Sequence, residues 1–173
     1  MKREIVGVLL AAGAGKRFGG DKLLYRLPDG TPMAVAAATQ LKLACGRVVA
    51  VVRPGDDQLA ALLADAGCEI VVCSEAGGGM GHSLAAGVRA TTAAGGWIVA
   101  LADMPFIASA SHQAVASSLR AGASLAASQY QGRRGHPVGF SSVWFAQLAA
   151  LTGDQGARNP RATPDGIDPL SGR

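Results

Sequence analysis

The chain has 173 residues, of which 49% are hydrophobic and 5% aromatic, a composition that predicts one globular domain with a core of small and branched aliphatic side chains. The formal net charge is +4, and its basic residues are scattered apart from the pairs Lys16-Arg17 and Arg133-Arg134. A nucleic-acid-binding domain concentrates basic residues on one face, so this distribution argues against nucleic acid and favours a ligand with a few phosphates.

Short apolar runs rich in β-branched residues predict strands, and the Ala- and Leu-rich stretches between them predict helices. The predicted strands are Ile5–Leu10, Val48–Val52, Ile70–Cys73 and Trp97–Leu101, with weaker candidates at Leu125–Gln129 and Pro137–Phe140. The predicted helices are Met33–Ala44, Gln58–Ala66, Ser83–Thr91 and Ser109–Arg120. Because strand and helix alternate, we expect an α/β fold of three layers, a mostly parallel sheet flanked by helices. Ligands of such a sheet bind beyond the carboxyl ends of its strands.

The segment Leu10–Lys22, which follows the first predicted strand, combines small residues with positive charge. Small residues let the backbone turn sharply and present its N–H groups to phosphate oxygens. Arg17 and Lys22 add fixed charge beside those amides. The segment therefore predicts a polyphosphate site.

This site is neither a P-loop nor a Rossmann fingerprint. A P-loop needs a glycine where Leu10 stands and a Ser or Thr where Arg17 stands. A Rossmann fingerprint needs its third glycine where Phe18 stands.

A carboxylate follows the fourth predicted strand, in the segment Ala102-Asp103-Met104-Pro105. Magnesium is held in proteins by one or two carboxylates together with phosphate oxygens and water, so Asp103 alone is sufficient to anchor Mg²⁺. The alternative is an aspartate that caps the helix that follows.

Two further segments carry candidate ligand contacts. In Glu75–Ser83 the chain passes from a glycine-rich loop into a helix, where Ser83 either caps that helix or bonds a base or ribose. We expect His82 to be an exposed loop residue. In Tyr130–Phe140 two strands meet at a basic turn, and its arginines are either solvated or bind an anion.

Together these segments resemble the signature of nucleotidyltransferases with a MobA-like fold, and most closely that of the molybdenum cofactor cytidylyltransferases. Four motifs carry the resemblance in the family's order: Leu-Ala-Ala-Gly-x-Gly-x-Arg-Phe-Gly-Gly-Asp-Lys, Gly-Met-Gly-x-Ser-Leu, Leu-x-Asp-Met-Pro and Gly-His-Pro-Val-Gly-Phe. The stretch Gly153–Arg158 is also similar to the family's Gly-Asp-x-Gly-Ala-Arg. The resemblance extends from Ile5 to Arg158 and implies a Rossmann-like nucleotidyltransferase fold.

The resemblance also implies a role for each motif residue. Arg17 and Lys22 would grip the triphosphate, and Asp103 would hold the catalytic metal. The residues implied to surround the nucleotide are Leu10, Ala11, Ala12, Gly13, Gly15, Gly81 and Ser83. Those implied to meet the acceptor are Arg134, His136, Asp154 and Arg158, although Asp154 and Arg158 are alternatively a pair that bond each other.

The function that the resemblance implies is Mg²⁺-dependent transfer of CMP from CTP to molybdopterin, with release of pyrophosphate. A molybdenum hydroxylase that receives the finished cofactor is the implied protein partner. The alternatives are guanylyl transfer to the same acceptor, nucleotidyl transfer to a sugar or alditol phosphate, and a non-catalytic cofactor carrier. Beyond Arg158 the resemblance ends, and Pro160 disfavours a helix, so residues 1–158 form the predicted domain and 159–173 an irregular tail.

The cysteines and the N-terminus predict a cytoplasmic protein without a membrane partner. Cys45, Cys68 and Cys73 form no CxxC pair, and an odd number argues against a disulfide framework, so we expect reduced core residues. The apolar run after Glu4 is too short to span a bilayer and lacks a cleavage pattern.

Overall fold

The computed structural model describes residues 3–13 and 22–153. Along them the strands are β1 (Ile5–Leu10), β2 (Arg47–Val52), β3 (Glu69–Val72), β4 (Gly96–Leu101), β5 (Leu125–Tyr130) and β6 (Arg133–Ser141). The helices are α1 (Met33–Lys42), α2 (Asp57–Asp65), α3 (Met80–Arg89), α4 (Ser109–Arg120) and α5 (Phe145–Ala149). Single 3-10 turns lie at Lys22–Leu24, Ala76–Gly78 and Ser142–Trp144.

The six strands form one sheet in the order β3-β2-β1-β4-β6-β5. The first four are parallel to one another, whereas β6 runs antiparallel to both β4 and β5. The expected mostly parallel sheet is therefore confirmed, with an antiparallel hairpin added at one side. Strand order reverses direction at β1, since the chain leaves it towards β2 and later returns to its other side as β4. Such a switch point opens a crevice for ligands.

Two hydrophobic layers enclose the sheet, because successive side chains of a strand point to opposite faces. On one face, Leu9 and Ile98 pack with buried residues of α1, α2 and α4. On the other, Val8 and Trp97 pack with buried residues of α3 and α5. All six residues of β1 are buried, as its uninterrupted apolar run predicts for a central strand.

Helix α3 lies unusually close to β1 because of a glycine. A Cβ built at Gly87 would stand 2.7 Å from Cγ1 of Val8, so no larger residue fits between helix and strand without a shift. This contact fixes the height of α3 above the sheet, and hence the position of its N-terminal turn at the sheet's carboxyl edge.

The cysteines are buried and free, as expected for core residues. Burial raises the pKa of the Cys45 thiol to about 12. Within the described ranges, no helix is long and apolar enough to cross a bilayer. The predicted tail, 159–173, lies outside the described residues.

Candidate functional site

The carboxyl ends of β1 and β4 lie side by side at the centre of the sheet. Leu10 pairs with Leu101, and the N–H of Ala102 donates to the carbonyl of Leu10 at 3.1 Å. On the other side, the N–H of Ala11 donates to the carbonyl of Val51 at 2.9 Å. The backbone directly after β1 is thus held between its two neighbouring strands at the carboxyl edge of the sheet.

The Leu-Ala-Ala-Gly segment leaves the core within four residues. Leu10, Ala11 and Ala12 are buried, whereas Gly13 is exposed. A Cβ built at Gly13 would meet no atom of the described residues within 4 Å, so residues 3–13 and 22–153 leave space beside this backbone. Gly15 and Arg17, which the sequence places in the phosphate loop, lie outside the described residues.

Lys22 and Asp103 meet across this opening. The Nζ atom of Lys22, the first residue of a 3-10 turn, lies 3.5 Å from Oδ2 of Asp103, which follows β4. The two side chains are 37% and 44% exposed. An ion pair so open to water contributes only about 0–1 kcal/mol, so either partner can be exchanged for a ligand at little cost.

Asp103 does not cap the next helix. Helix α4 begins at Ser109, its N-cap residue is Ala108, and that cap has no side-chain hydrogen bond. The helix-cap alternative is therefore wrong, and the carboxylate is left to face Lys22 and solvent.

The residues present fit a divalent metal that is completed by a substrate. Among residues 3–13 and 22–153, no group of three or more His, Cys, Asp or Glu side chains is arranged to hold a metal by itself. A half-exposed carboxylate beside a half-exposed lysine instead suits Mg²⁺, which retains water and takes ligands from bound phosphates. Asp103 would be the protein ligand of that ion.

The N-terminal turn of α3 starts three residues earlier than predicted. Gly79 is its N-cap, with φ of +124°, and helical residues begin at Met80. Ser83 therefore lies inside the helix, where it is buried, so its alternative role as a cap is wrong. The N–H of Gly81 donates to the carbonyl of Gly153 at 2.8 Å, which ties this turn to the end of the described chain.

His82 is also part of α3 and is not the exposed loop residue that the sequence predicts. Its Nδ1 atom lies 3.2 Å from Oε2 of Glu75, and its side chain is only 22% exposed. A Cβ built at Gly78 would stand 2.8 Å from Cδ2 of His82, so the imidazole packs on a glycine backbone. Through its contacts with Glu75 and Gly78, His82 connects α3 to the glycine-rich segment that precedes it.

The β5–β6 hairpin turns at Gln131 and Gly132, which both have positive φ, 49° and 76°. Arg133, next along the chain, is exposed. Arg134 differs: its Nε and Nη2 atoms are buried. The solvated alternative is therefore wrong for Arg134. His136, two residues on, is also buried.

Two exposed apolar side chains follow Asp103, and one of them, Phe106, had no part in the sequence interpretation. Met104 and Phe106 are 39% and 81% exposed, on the segment that leads from β4 to α4. The signal available in the sequence was a large apolar residue in the segment that follows a predicted strand. Asp154 and Arg158, the remaining predicted acceptor contacts, lie outside the described residues.

The sequence matches known proteins along most of its length. The profile of the MobA-like NTP transferase domain matches residues 7–166. The chain is 32% identical over 163 residues to the purine catabolism protein PucB of Bacillus subtilis, covering 89% of this chain and 78% of that protein. It is 35% identical over 162 residues to the nicotine blue oxidoreductase of Paenarthrobacter nicotinovorans, covering 89% and 79%. A protein of Thermococcus gammatolerans named a probable molybdenum cofactor guanylyltransferase is 34% identical over 103 residues, covering 60% and 50%.

Solved structures share the fold. Rv0371c of Mycobacterium tuberculosis superposes with a TM-score of 0.76 at 28% identity, covering 91% of this chain and 81% of that one. A complex of Rv0371c with manganese gives 0.74 at 27% identity, covering 92% and 85%. A nucleotidyl transferase from Methanothermobacter gives 0.74 at 19% identity, covering 87% and 78%, which supports the fold alone. The expected Rossmann-like nucleotidyltransferase fold is confirmed.

Proposed function

The chain belongs to the family of MobA-like NTP transferase domains, and on that premise we propose that it transfers CMP from CTP to molybdopterin and releases pyrophosphate. One observation carries the proposal. The lysine of the first motif and the aspartate of the third, 81 residues apart, meet where β1 and β4 end. A lysine beside a carboxylate that can hold a metal suits the negative charge that develops in nucleotidyl transfer.

In the proposed reaction an acceptor phosphate oxygen attacks the α-phosphorus of CTP in line. A new P–O bond forms, the bond between the α-phosphorus and its bridging oxygen breaks, and pyrophosphate leaves with that electron pair. A divalent ion bound at Asp103, which we propose to be Mg²⁺, would neutralise charge on the phosphate oxygens. The Lys22 ammonium stabilises the charge that develops on the pyrophosphate. No general base is needed, because a phosphate monoester is already an anion at neutral pH.

We propose that the nucleotide lies along the segment from Leu10 to Gly13, with its base towards the N-terminal turn of α3. The hydrogen bond from Ala11 to Val51, which holds this segment at the carboxyl edge, and the space that the described residues leave at Gly13 support this position. Gly81 contributes close approach and not its amide, because its N–H is already bonded to Gly153. The preference for cytosine rests on the resemblance of Gly-Met-Gly-x-Ser-Leu and Gly-His-Pro-Val-Gly-Phe to the cytidylyl branch.

Guanylyl transfer to the same acceptor is the second candidate, because the Thermococcus relative is named a molybdenum cofactor guanylyltransferase. That similarity covers 60% of this chain. The Paenarthrobacter relative is named an oxidoreductase, a different class of reaction. Under our proposal the molecule that receives the product is a molybdenum hydroxylase.

A pyrophosphate-release assay separates these candidates. The chain is incubated with molybdenum-loaded molybdopterin, Mg²⁺ and one of the four ribonucleoside triphosphates, and the Asp103→Asn variant serves as the inactive control. The proposal expects release that depends on both CTP and the acceptor. A preference for GTP would overturn the cytidylyl assignment. No release with any nucleotide, in either Mg²⁺ or Mn²⁺, would overturn nucleotidyl transfer and favour a carrier or a redox protein.

A further inference from the structure

His82 contacts both ends of the short 3-10 turn that precedes its helix, the turn Ala76–Gly78. At one end, its Nδ1 atom lies 3.2 Å from Oε2 of Glu75. At the other end, the imidazole covers the backbone of Gly78, since a Cβ built there would stand 2.8 Å from Cδ2 and 2.9 Å from Nε2 of His82. The side chain of His82 therefore closes a clasp around this turn, and we call residues 75–79 the clasped segment.

The clasped segment has weak conformational preferences of its own. Three of its five residues are glycine, which has more backbone freedom than any other residue. Two of its backbone hydrogen bonds are local: the N–H of Gly78 donates to the carbonyl of Glu75 at 2.9 Å, and that of Gly79 to the carbonyl of Ala76 at 3.2 Å. Fixing such a chain in one conformation has a large entropic cost, so a side chain that spans the turn has a strong influence on its shape.

The bond between His82 and Glu75 acts locally. The two side chains are 22% and 67% exposed, and a pair so open to water adds little to the stability of the whole domain. An imidazole can donate from Nδ1 to a carboxylate both when it is charged and as the neutral tautomer with its proton there. The contact therefore selects a conformation of the clasped segment without being needed for the fold.

The clasped segment directly precedes the turn towards which we propose that the base of CTP points. It leaves β3 at the carboxyl edge of the sheet and enters α3, whose Gly87 lies against Val8 of β1. Gly77 and Gly78 are exposed, so a ligand can reach their backbone. His82 itself belongs to the first turn of α3. The clasp thus joins two segments that border one ligand.

We propose that His82 is a positioning residue for the nucleotide, which holds the clasped segment in its binding conformation through Glu75 and Gly78 before CTP arrives. A protein whose competent conformation is only partly populated binds its ligand more weakly, in proportion to that population. The role in CTP binding rests on the proposed function, whereas the clasp itself rests on the contacts of His82. Because His82 acts on the nucleotide's binding surface and not on the reacting phosphates, kcat does not depend on it.

Amide hydrogen exchange of the whole chain tests the clasp without any nucleotide. The N–H groups of Gly78 and Gly79 should exchange roughly three- to tenfold faster in His82→Ala and in Glu75→Ala than in wild type. Exchange should be slower in His82→Asn than in His82→Gln, because the amide nitrogen of Asn occupies the place of Nδ1 along the side chain and that of Gln the place of Nε2.

Glu69→Ala is the matched control for exchange. It removes the ion pair with Arg47, also an exposed contact, at the start of β3 and hence at the opposite edge of the sheet. The two glycine amides should exchange in this variant as in wild type. Unchanged exchange in both His82→Ala and Glu75→Ala would overturn the clasp, and faster exchange in His82→Asn than in His82→Gln would overturn the pairing through Nδ1.

Steady-state kinetics in the pyrophosphate assay test the role in the reaction. His82→Ala should raise the CTP KM roughly three- to tenfold, with kcat and the acceptor KM unchanged. The double variant with Glu75→Ala should raise it no further, because both substitutions remove one contact. Faster exchange with an unchanged CTP KM would overturn the nucleotide role and leave the proposed function standing. If no nucleotide gives pyrophosphate, the nucleotide role falls with the proposed function, and the exchange rates still decide whether the clasp exists.

Discussion

The Lys22 ammonium lies 3.5 Å from a carboxylate oxygen of Asp103, so the residue proposed to bind phosphate and the residue proposed to bind metal neutralise each other. Both side chains remain more than one-third exposed, at 37% and 44%. The pair is therefore weak and exchangeable: under the proposed function a metal would replace the ammonium at Asp103, and phosphate oxygens would replace the carboxylate at Lys22. Binding of the metal at Asp103 would therefore release Lys22 for the phosphate, and binding of the phosphate at Lys22 would release Asp103 for the metal.

This exchange predicts that removing Lys22 has opposite effects on metal and nucleotide. Lys22→Met should tighten Mn²⁺ binding without nucleotide roughly two- to fivefold, because the competing ammonium is gone. It should also lower kcat/KM for CTP roughly 100-fold, because the developing charge loses its cation. Electron paramagnetic resonance of free Mn²⁺ measures the first effect and pyrophosphate release the second.

Lys42→Met is the matched control, because the Lys42 ammonium bonds the carbonyl of Gly67 at 2.9 Å, away from the site. Neither quantity should change in that variant. Weaker Mn²⁺ binding in Lys22→Met would contradict the exchange.

Asp103→Asn should abolish activity with little change in stability. Loss of the metal ligand is expected to reduce kcat on the order of 100-fold or more. The exposed ion pair contributes only about 0–1 kcal/mol, so Tm should fall by no more than about 4 °C. Activity and a thermal melt are compared with Asp65→Asn, which alters an exposed carboxylate at the end of α2. A large drop in Tm for Asp103→Asn alone would show that the carboxylate is structural.

Gly87→Ala should damage both stability and nucleotide binding. The added Cβ would lie 2.7 Å from Val8, so α3 must move outward and carry its N-terminal turn with it. We expect a loss of about 1–3 kcal/mol in the free energy of unfolding and a raised CTP KM. Urea denaturation and steady-state kinetics measure these.

Gly46→Ala is the comparison for that variant, since the nearest atom to its Cβ would be 3.8 Å away, at ordinary contact distance. It should leave both quantities nearly unchanged. If Gly87→Ala were equally harmless, α3 would not be positioned by its contact with β1.

Stability should fall as pH decreases through the range where histidine titrates. Burial lowers the pKa of His112 below its ordinary value of 6.5, although its ring bonds the carbonyl of Ala108 at 3.2 Å. Below that ordinary value the unfolded chain therefore binds a proton that the folded chain resists, and the free energy of unfolding decreases. Urea denaturation between pH 8 and about 5.5 measures the slope.

His112→Gln should flatten that slope, whereas His82→Gln, which alters a partly exposed imidazole, should retain it. A slope that is the same in wild type and His112→Gln would exclude His112 as its source.

The strands and long helices were predictable because their signals are local. The apolar run Ile5–Leu10 has no polar break, and it is the fully buried central strand. Helix α3 begins three residues before the predicted start at Ser83, because Met80 and Gly81 continue a glycine-rich segment and glycine is a poor helix former. Helix α5 has only five residues, too few to show a helical period.

The candidate site was predictable to the level of residue type but not of environment. The first and third motifs supply a cation at Lys22 and a carboxylate at Asp103, the residue types that phosphate and metal need. The pairing of β1 with β4 then brings the two side chains together. Arg133 is exposed, whereas Arg134 has buried donors. Strand alternation predicts that neighbours in β6 point to opposite faces of the sheet, but the sequence does not say which of the two faces is covered.

Transfer of label from CTP tests the central claim most directly. With CTP labelled at the α-phosphate, the account predicts that label appears in the molybdopterin product in an amount equal to the pyrophosphate released. With Asp103→Asn, it predicts neither labelled product nor released pyrophosphate. Label that stays with the free nucleotide, or that enters the product from GTP in preference to CTP, would contradict it.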